Sequence, residues 1–181
     1  FYLSLYEIVL VSFAGIITFL YAIPTFLISN YNLRATKGLK IYLVALVWTL
    51  ITVLLPLQFY KDLGLLFILL IFIQIFIYVL TSIIPFEIRD IDIDDTRLST
   101  IPQKIGIRNT KILGFIMILF FLLIEFLKIK LNVIDNLSLD IFIISFLMIF
   151  LIINSKKRQS KFYSSFWVEG IPVLWALLLL F

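Results

Sequence analysis

Six apolar runs, at about 5–28, 39–57, 64–84, 111–131, 139–153 and 166–181, constrain this chain more than any other feature. Inside hydrocarbon every backbone N–H and C=O must find an internal partner, which leaves helices or closed barrels as spanning structures. The runs are continuous and show no period-2 alternation, so they predict helices. A core about 30 Å thick takes roughly 20 apolar residues per helix. The last two runs are shorter than that and are expected to extend into their flanks or to lean on neighbours. The resulting expectation is an all-α, polytopic membrane protein with six transmembrane helices in one transmembrane helical domain, 1–181. Composition agrees: 63% of residues are hydrophobic, 14% are charged and the mean hydropathy is +1.17, outside the soluble globular range.

The residue inventory narrows the chemistry. There is no cysteine, which removes disulfides, thiolate metal sites and thiol nucleophiles. Histidine is absent too, and with it the usual neutral-pH base and metal or haem ligand. Catalysis would have to rest on carboxylates, Lys, Arg, Tyr, hydroxyls or an oxygen-ligated metal. The first residue is Phe and no basic segment precedes the first apolar run, so the start does not read as a signal peptide. A piece of a longer chain is expected.

Basic residues set the orientation. The loops at 29–40, 85–111 and 154–165 carry twelve of the fifteen: Arg34, Lys37, Lys40, Arg89, Arg97, Lys104, Arg108, Lys111, Lys156, Lys157, Arg158 and Lys161. By the positive-inside rule these loops are expected in the cytoplasm, with both ends of the chain facing outward; a bacterial inner membrane is the expected setting. Topology alone accounts for the net charge of +4, and no nucleic-acid partner is implied.

The longest polar interval, 85–106, reads PFEIRDIDIDDTRLSTIPQKIG and holds five of the eleven acidic residues. These are Glu87, Asp90, Asp92, Asp94 and Asp95. Asp90 and Asp94 are spaced i, i+4 and would share one face of a helical turn, with Asp95 beside that face and Asp92 pointing elsewhere. Crowded carboxylates repel unless cations intervene. Arg89 and Arg97 are one choice of cation, and Mg²⁺, which takes one or two carboxylates plus phosphate oxygens, is the other. A solvated, salt-bridged loop is the plain alternative.

The order of residues points further. Arg89-Asp90-Ile91-x-x-Asp94, then Thr100-Ile101-Pro102, then Gly106, resembles the second aspartate-rich motif of the UbiA-type intramembrane prenyltransferases. There an R-D-I-x-x-D run precedes T-L-P and, four residues past the Pro, a Gly that leads into the next helix. Tyr21 and Pro24, followed by the basic 34–40 loop, resemble the connection between that family's fourth and fifth helices. The resemblance covers essentially the whole chain as helices four to nine of a nine-helix bundle, with three helices expected upstream. Two departures stand out. The interval from Asp94 to Thr100 lacks the family's Gly and is one residue short. The first motif, N-D-x-x-D, is not in these residues.

The resemblance implies Mg²⁺-dependent transfer of a prenyl group from a polyprenyl diphosphate to a membrane-associated acceptor. Asp90 and Asp94 would be the catalytic pair, with Asp95 joining them as metal ligands and Mg²⁺ as cofactor. Arg89, Arg97, Lys37, Lys40, Tyr78 and Glu169 are the candidate substrate-binding residues. Lys37 and Lys40, with Arg34, read first as topology determinants, and Gln74, Tyr78, Thr81 and Ser82 form a polar stripe leading to the acidic loop that reads equally as interhelical hydrogen bonding or as cavity lining. Glu125, three residues before Lys128, is expected to form a local pair with the lysine snorkelling to the interface. Glu169 opens the last span, where an acid also suits the helix dipole.

A non-catalytic relative, serving as scaffold or subunit of a membrane-protein complex, is the alternative function. The lipid-headgroup transferases need D-G-x-x-A-R before their closing D-x-x-x-D, and that string does not occur. A transporter would show paired broken spans in two halves, and none is evident.

Overall fold

A computed structural model describes residues 4–22, 38–59, 63–95, 98–160 and 162–180. All regular structure among them is helical, with no strand. Six α-helices follow in order: α1 Leu5–Ala22, α2 Lys40–Thr49, α3 Leu65–Arg89, α4 Ile101–Lys130, α5 Leu139–Asn154 and α6 Glu169–Leu178. α2 continues through a π turn, Leu50–Leu54, and a 3-10 turn, Leu55–Phe59, and a π turn at Tyr163–Val168 precedes α6. Among the described residues, α1, α2 with its extension to Leu57, α3 and α4 are long and apolar enough to cross a membrane. The 16-residue α5 is apolar but shorter, and α6 has 10 residues. Such helices mark a membrane-embedded protein.

α3 and α4 form the centre, and α5 and α6 pack on them through Tyr78, Phe121, Ile144, Met148 and Val168. The closest approach is at Gly114. A Cβ there would lie 2.9 Å from Ile84 Cδ1 and 3.1 Å from Ile152 Cδ1, so the absence of a side chain lets α4 meet α3 and α5. Phe13, Phe120, Phe146 and Phe150 stand exposed, as expected where lipid rather than water is the neighbour.

Two boundaries differ from the apolar runs, both next to the acidic interval. α3 does not stop at 84 but continues through Pro85 to Arg89. Proline removes one helical hydrogen bond, yet Ile84 and Ile88 on either side are fully packed and hold the last turn. α4 starts at Ile101, ten residues before its apolar run, and Gly106 (φ 79°, ψ 160°) divides it into a short first segment and the long span. That backbone geometry is open to glycine almost alone.

Candidate functional site

The end of α3, the loop that follows and the start of α2 meet through one backbone hydrogen bond and one side-chain amide. Gly38 N–H donates to Leu98 O at 3.0 Å, with Gly38 at φ 72°, a left-handed turn that admits it without strain. Gln103, in the first turn of α4, uses both ends of its amide. Its Oε1 accepts from Thr100 N–H at 2.9 Å and its Nε2 donates to Asp94 O at 3.0 Å. The acidic loop is thereby fixed between α2 and α4.

Lys40, the first residue of α2, then reaches two carboxylates at once. Its Nζ lies 3.1 Å from Glu87 Oε1 and 3.2 Å from Asp94 Oδ2. The Glu87 side chain is only 4% exposed, so Lys40 neutralises a charge with almost no access to solvent. Arg89 holds Asp90 in a fork, Nε to Oδ1 at 2.6 Å and Nη2 to Oδ2 at 2.9 Å. Its third arm, Nη1, donates to Ser164 Oγ at 2.6 Å, which ties α3 to the π turn before α6. Lys157 pairs with Asp92 at 2.7 Å on the exposed rim, and Gln159 Nε2 donates to Pro85 O at 2.9 Å. Residues 38–40, 85–95, 98–100, 155–160 and 162–164, parts of the three basic loops, therefore gather at one end of the bundle.

Asp90 and Asp94 share this end, four residues apart across one hydrogen-bonded turn. Asp90 caps α3 at φ −89° and ψ 3°, and Asp94 N–H donates to Asp90 O at 2.8 Å, the i+4 to i bond that closes one turn just past the helix. Asp90 goes to Arg89 and Asp94 to Lys40. Asp95 is exposed in the same loop, its carbonyl accepting from Leu98 N–H at 2.9 Å. Lys37, Arg97 and Pro24 lie outside the described residues. Glu87 was not among the candidates, although it is the most buried acid at this end. The available signal was its place between Ile84 and Ile88, in the last turn of an apolar helix.

A groove of about 1270 Å³ lies between α2, α3 and α6. Trp48, Phe67, Ile75, Tyr78, Phe86 and Trp175 contribute to its walls, and Glu169 stands at its loop end. Of the hydroxyls that line it, Thr52 Oγ1 donates to Trp48 O and Ser82 Oγ to Val79 O, whereas the Tyr78 hydroxyl is buried with no hydrogen-bond partner among the described residues. The Arg89 guanidinium lies 5.3 Å over the Phe86 ring, so groove and ion-pair cluster adjoin. Of the expected polar stripe, Tyr78 and Ser82 face the groove, whereas Gln74 does not.

Gln74 turns instead to the opposite part of the α3–α4 contact. Its Nε2 donates to Glu125 Oε2 at 3.1 Å and to Phe121 O at 3.2 Å. Lys128 Nζ meets Glu125 Oε2 at 2.6 Å, with side-chain exposures of 8% and 1%. The pair forms as expected, but the lysine does not snorkel; both partners are buried against α3.

As a metal site, the loop offers only hard oxygen donors, the class that Mg²⁺ takes. Both oxygens of Asp90 and one of Asp94 are held by basic side chains, and among the described residues no three metal-ligating side chains converge. Mg²⁺ would fit only as an exchange partner, replacing Arg89 at Asp90 and Lys40 at Asp94. No family model matches the chain, and comparisons with curated proteins and with solved structures return no match.

Proposed function

We propose that the chain is part of a UbiA-like intramembrane prenyltransferase that binds a polyprenyl diphosphate at the α3–α4 loop and its tail in the adjoining groove. The carrying observation is the junction of the two: Arg89 both clamps Asp90 and covers Phe86, a wall of the groove. In this reading the six-helix polytopic arrangement sits within a nine-helix bundle, with the basic end in the cytoplasm.

Asp90 and Asp94 are the residues that would hold Mg²⁺, with Asp95 in the same loop. When bound, the metal supplies stabilisation of the negative charge that develops on departing diphosphate. The guanidinium of Arg89 and the ammonium of Lys40 exchange carboxylate oxygens for phosphate oxygens, which keeps charge balanced at the site. Lys37 and Arg97 belong to the same basic set by sequence. Phe86 and Tyr78 border the reacting end of the tail and limit the access of water.

The second reading, a non-catalytic relative acting as scaffold or subunit of a membrane complex, has an observation of its own. Each of Asp90, Asp92, Asp94 and Glu87 already pairs with a basic side chain: Arg89, Lys157 and, for Asp94 and Glu87 together, Lys40. Calorimetric titration of the full-length chain with geranylgeranyl diphosphate separates the two. The enzyme reading expects Mg²⁺-dependent binding that Asp90→Asn and Asp94→Asn each abolish and Asp92→Asn retains. Metal-independent binding, or equal losses at all three positions, supports the scaffold.

A further inference from the structure

At the basic end Lys40, Arg89 and Lys157 are each paired with an acid. Arg108, Lys111 and Lys156 differ, for among the described residues no carboxylate pairs with any of them. Arg108 and Lys111, three apart on α4 beyond the Gly106 turn, lie on one side of the helix. Lys111 Nζ donates to Ile153 O at 2.6 Å in the last turn of α5. Lys156, two residues past the end of α5, is close enough for its charge to act on Lys111. A carbonyl at a helix C-terminus suits one ammonium. It does not balance three cations gathered at one seam, and like charges without a counterion repel.

The seam also lies at a defined depth. From Lys111 to Lys130 α4 rises about 28 Å at 1.5 Å per residue, close to the hydrocarbon thickness of about 30 Å. Lys111 therefore stands at the level of one headgroup layer. On the hydrocarbon side of it the seam is apolar and open. Phe115, one turn along α4 on the side of Lys111, is exposed, as are Phe150 and Ile153 of α5. Trp167, exposed and edge-on to Phe166 at 5.3 Å just beyond the same connector, is the kind of aromatic that settles at that boundary. The groove described above is walled by α2, α3 and α6, so the seam is separate from it.

We propose that the α4–α5 seam holds an anionic membrane phospholipid, its phosphate against Arg108, Lys111 and Lys156 and an acyl chain along Phe115 and Phe150. Charge complementarity selects this occupant: basic pockets between membrane helices take acidic headgroups, and the exposed apolar strip directly beneath takes the chains. The connector that carries Lys156 also carries Lys157 and Gln159, which bind Asp92 and Pro85 O. A lipid held there braces the acidic loop from outside. This site stands whether or not the chain transfers prenyl groups.

The test places one fluorescent reporter at the seam of the full-length chain: Phe115→Trp, combined with Trp48→Phe, Trp167→Phe and Trp175→Phe. Vesicles of phosphatidylcholine with increasing brominated phosphatidylglycerol quench it according to which lipid sits beside it. The anionic lipid is expected to be favoured about tenfold, in the range that two or three basic side chains near a membrane surface provide. A Phe126→Trp reporter, toward the other end of α4, should show about equal affinities. Lys111→Gln/Lys156→Gln should bring the preference at the seam close to one, whereas Lys104→Gln/Lys130→Gln, which removes as much charge elsewhere, should leave it. The unsubstituted chain in neutral detergent gives an independent reading. Phosphatidylglycerol should raise its unfolding midpoint more than phosphatidylcholine or inorganic phosphate does, and Lys111→Gln/Lys156→Gln should remove the difference. No preference at the seam, an equal preference at both reporters, equal losses in the two double variants, or an equal shift by inorganic phosphate would each overturn the proposal.

Discussion

α3 carries buried charge partners toward both of its ends, and the two clusters are built differently. Toward its start, Gln74 closes over Glu125 and Lys128, a pair local to α4 at i, i+3 whose side chains are 1% and 8% exposed. Toward its end, Glu87 joins Lys40 and Asp94, contributed by three separate segments with side-chain exposures of 4%, 23% and 14%. The first cluster is sealed inside a helix–helix contact, so its ions have no other partner to turn to. The second lies at a loop beside a groove, where a cation can trade one anionic partner for another. Burial makes the first a structural feature, and graded access gives the second what ligand binding requires.

The largest expected effect breaks the sealed pair. Glu125→Leu strands Lys128 without its anion and should cost about 3–5 kcal/mol of stability, the usual penalty for removing one partner of a buried pair. The matched double variant Glu125→Leu/Lys128→Met should recover most of it. Thermal unfolding in detergent reads both. A double variant no more stable than the single one would show that the pair does more than satisfy itself.

At the open end the same operation should matter less. Lys40→Met leaves Glu87 buried without its cation but lets Asp94 reach solvent, so a loss of about 1–3 kcal/mol is expected. A loss as large as that of Glu125→Leu would erase the distinction between the two clusters. The smallest effect belongs to the rim. Lys157→Ala removes a pair whose side chains are 47% and 62% exposed, and it should shift stability by less than about 1 kcal/mol.

How far the sequence could reach follows the same divide. Apolar runs located the helices because a span depends on local composition. Counting basic residues grouped the right loops, and their described parts do meet at one end. Gly106 entered through the resemblance alone, as a glycine leading into a helix; its left-handed backbone inside α4 was not legible. Partners were not readable, because they depend on which face of a helix turns inward. Lys128 looked free to snorkel until α3 covered it, and Glu87 looked like one acid of five until Lys40 was folded over it. The continuation of α3 past Pro85 was hidden for a related reason: packing of Ile84 and Ile88 offsets a local penalty that sequence alone registers. That continuation moves Asp90 to the helix cap, so the i, i+4 spacing of Asp90 and Asp94 spans the single hydrogen-bonded turn beyond α3.

The central claim is that the ion-pair cluster and the groove act as one site. The most direct measurement is tryptophan fluorescence of a Trp167→Phe chain, which leaves Trp48 and Trp175 in the groove wall as reporters. Geranylgeranyl diphosphate is added with and without Mg²⁺, to the parent and to Asp94→Asn. The account predicts a saturable change that requires Mg²⁺ and is lost in Asp94→Asn, because the head group must be held at the loop for the tail to occupy the groove. A change that is the same without the metal and in Asp94→Asn would contradict it.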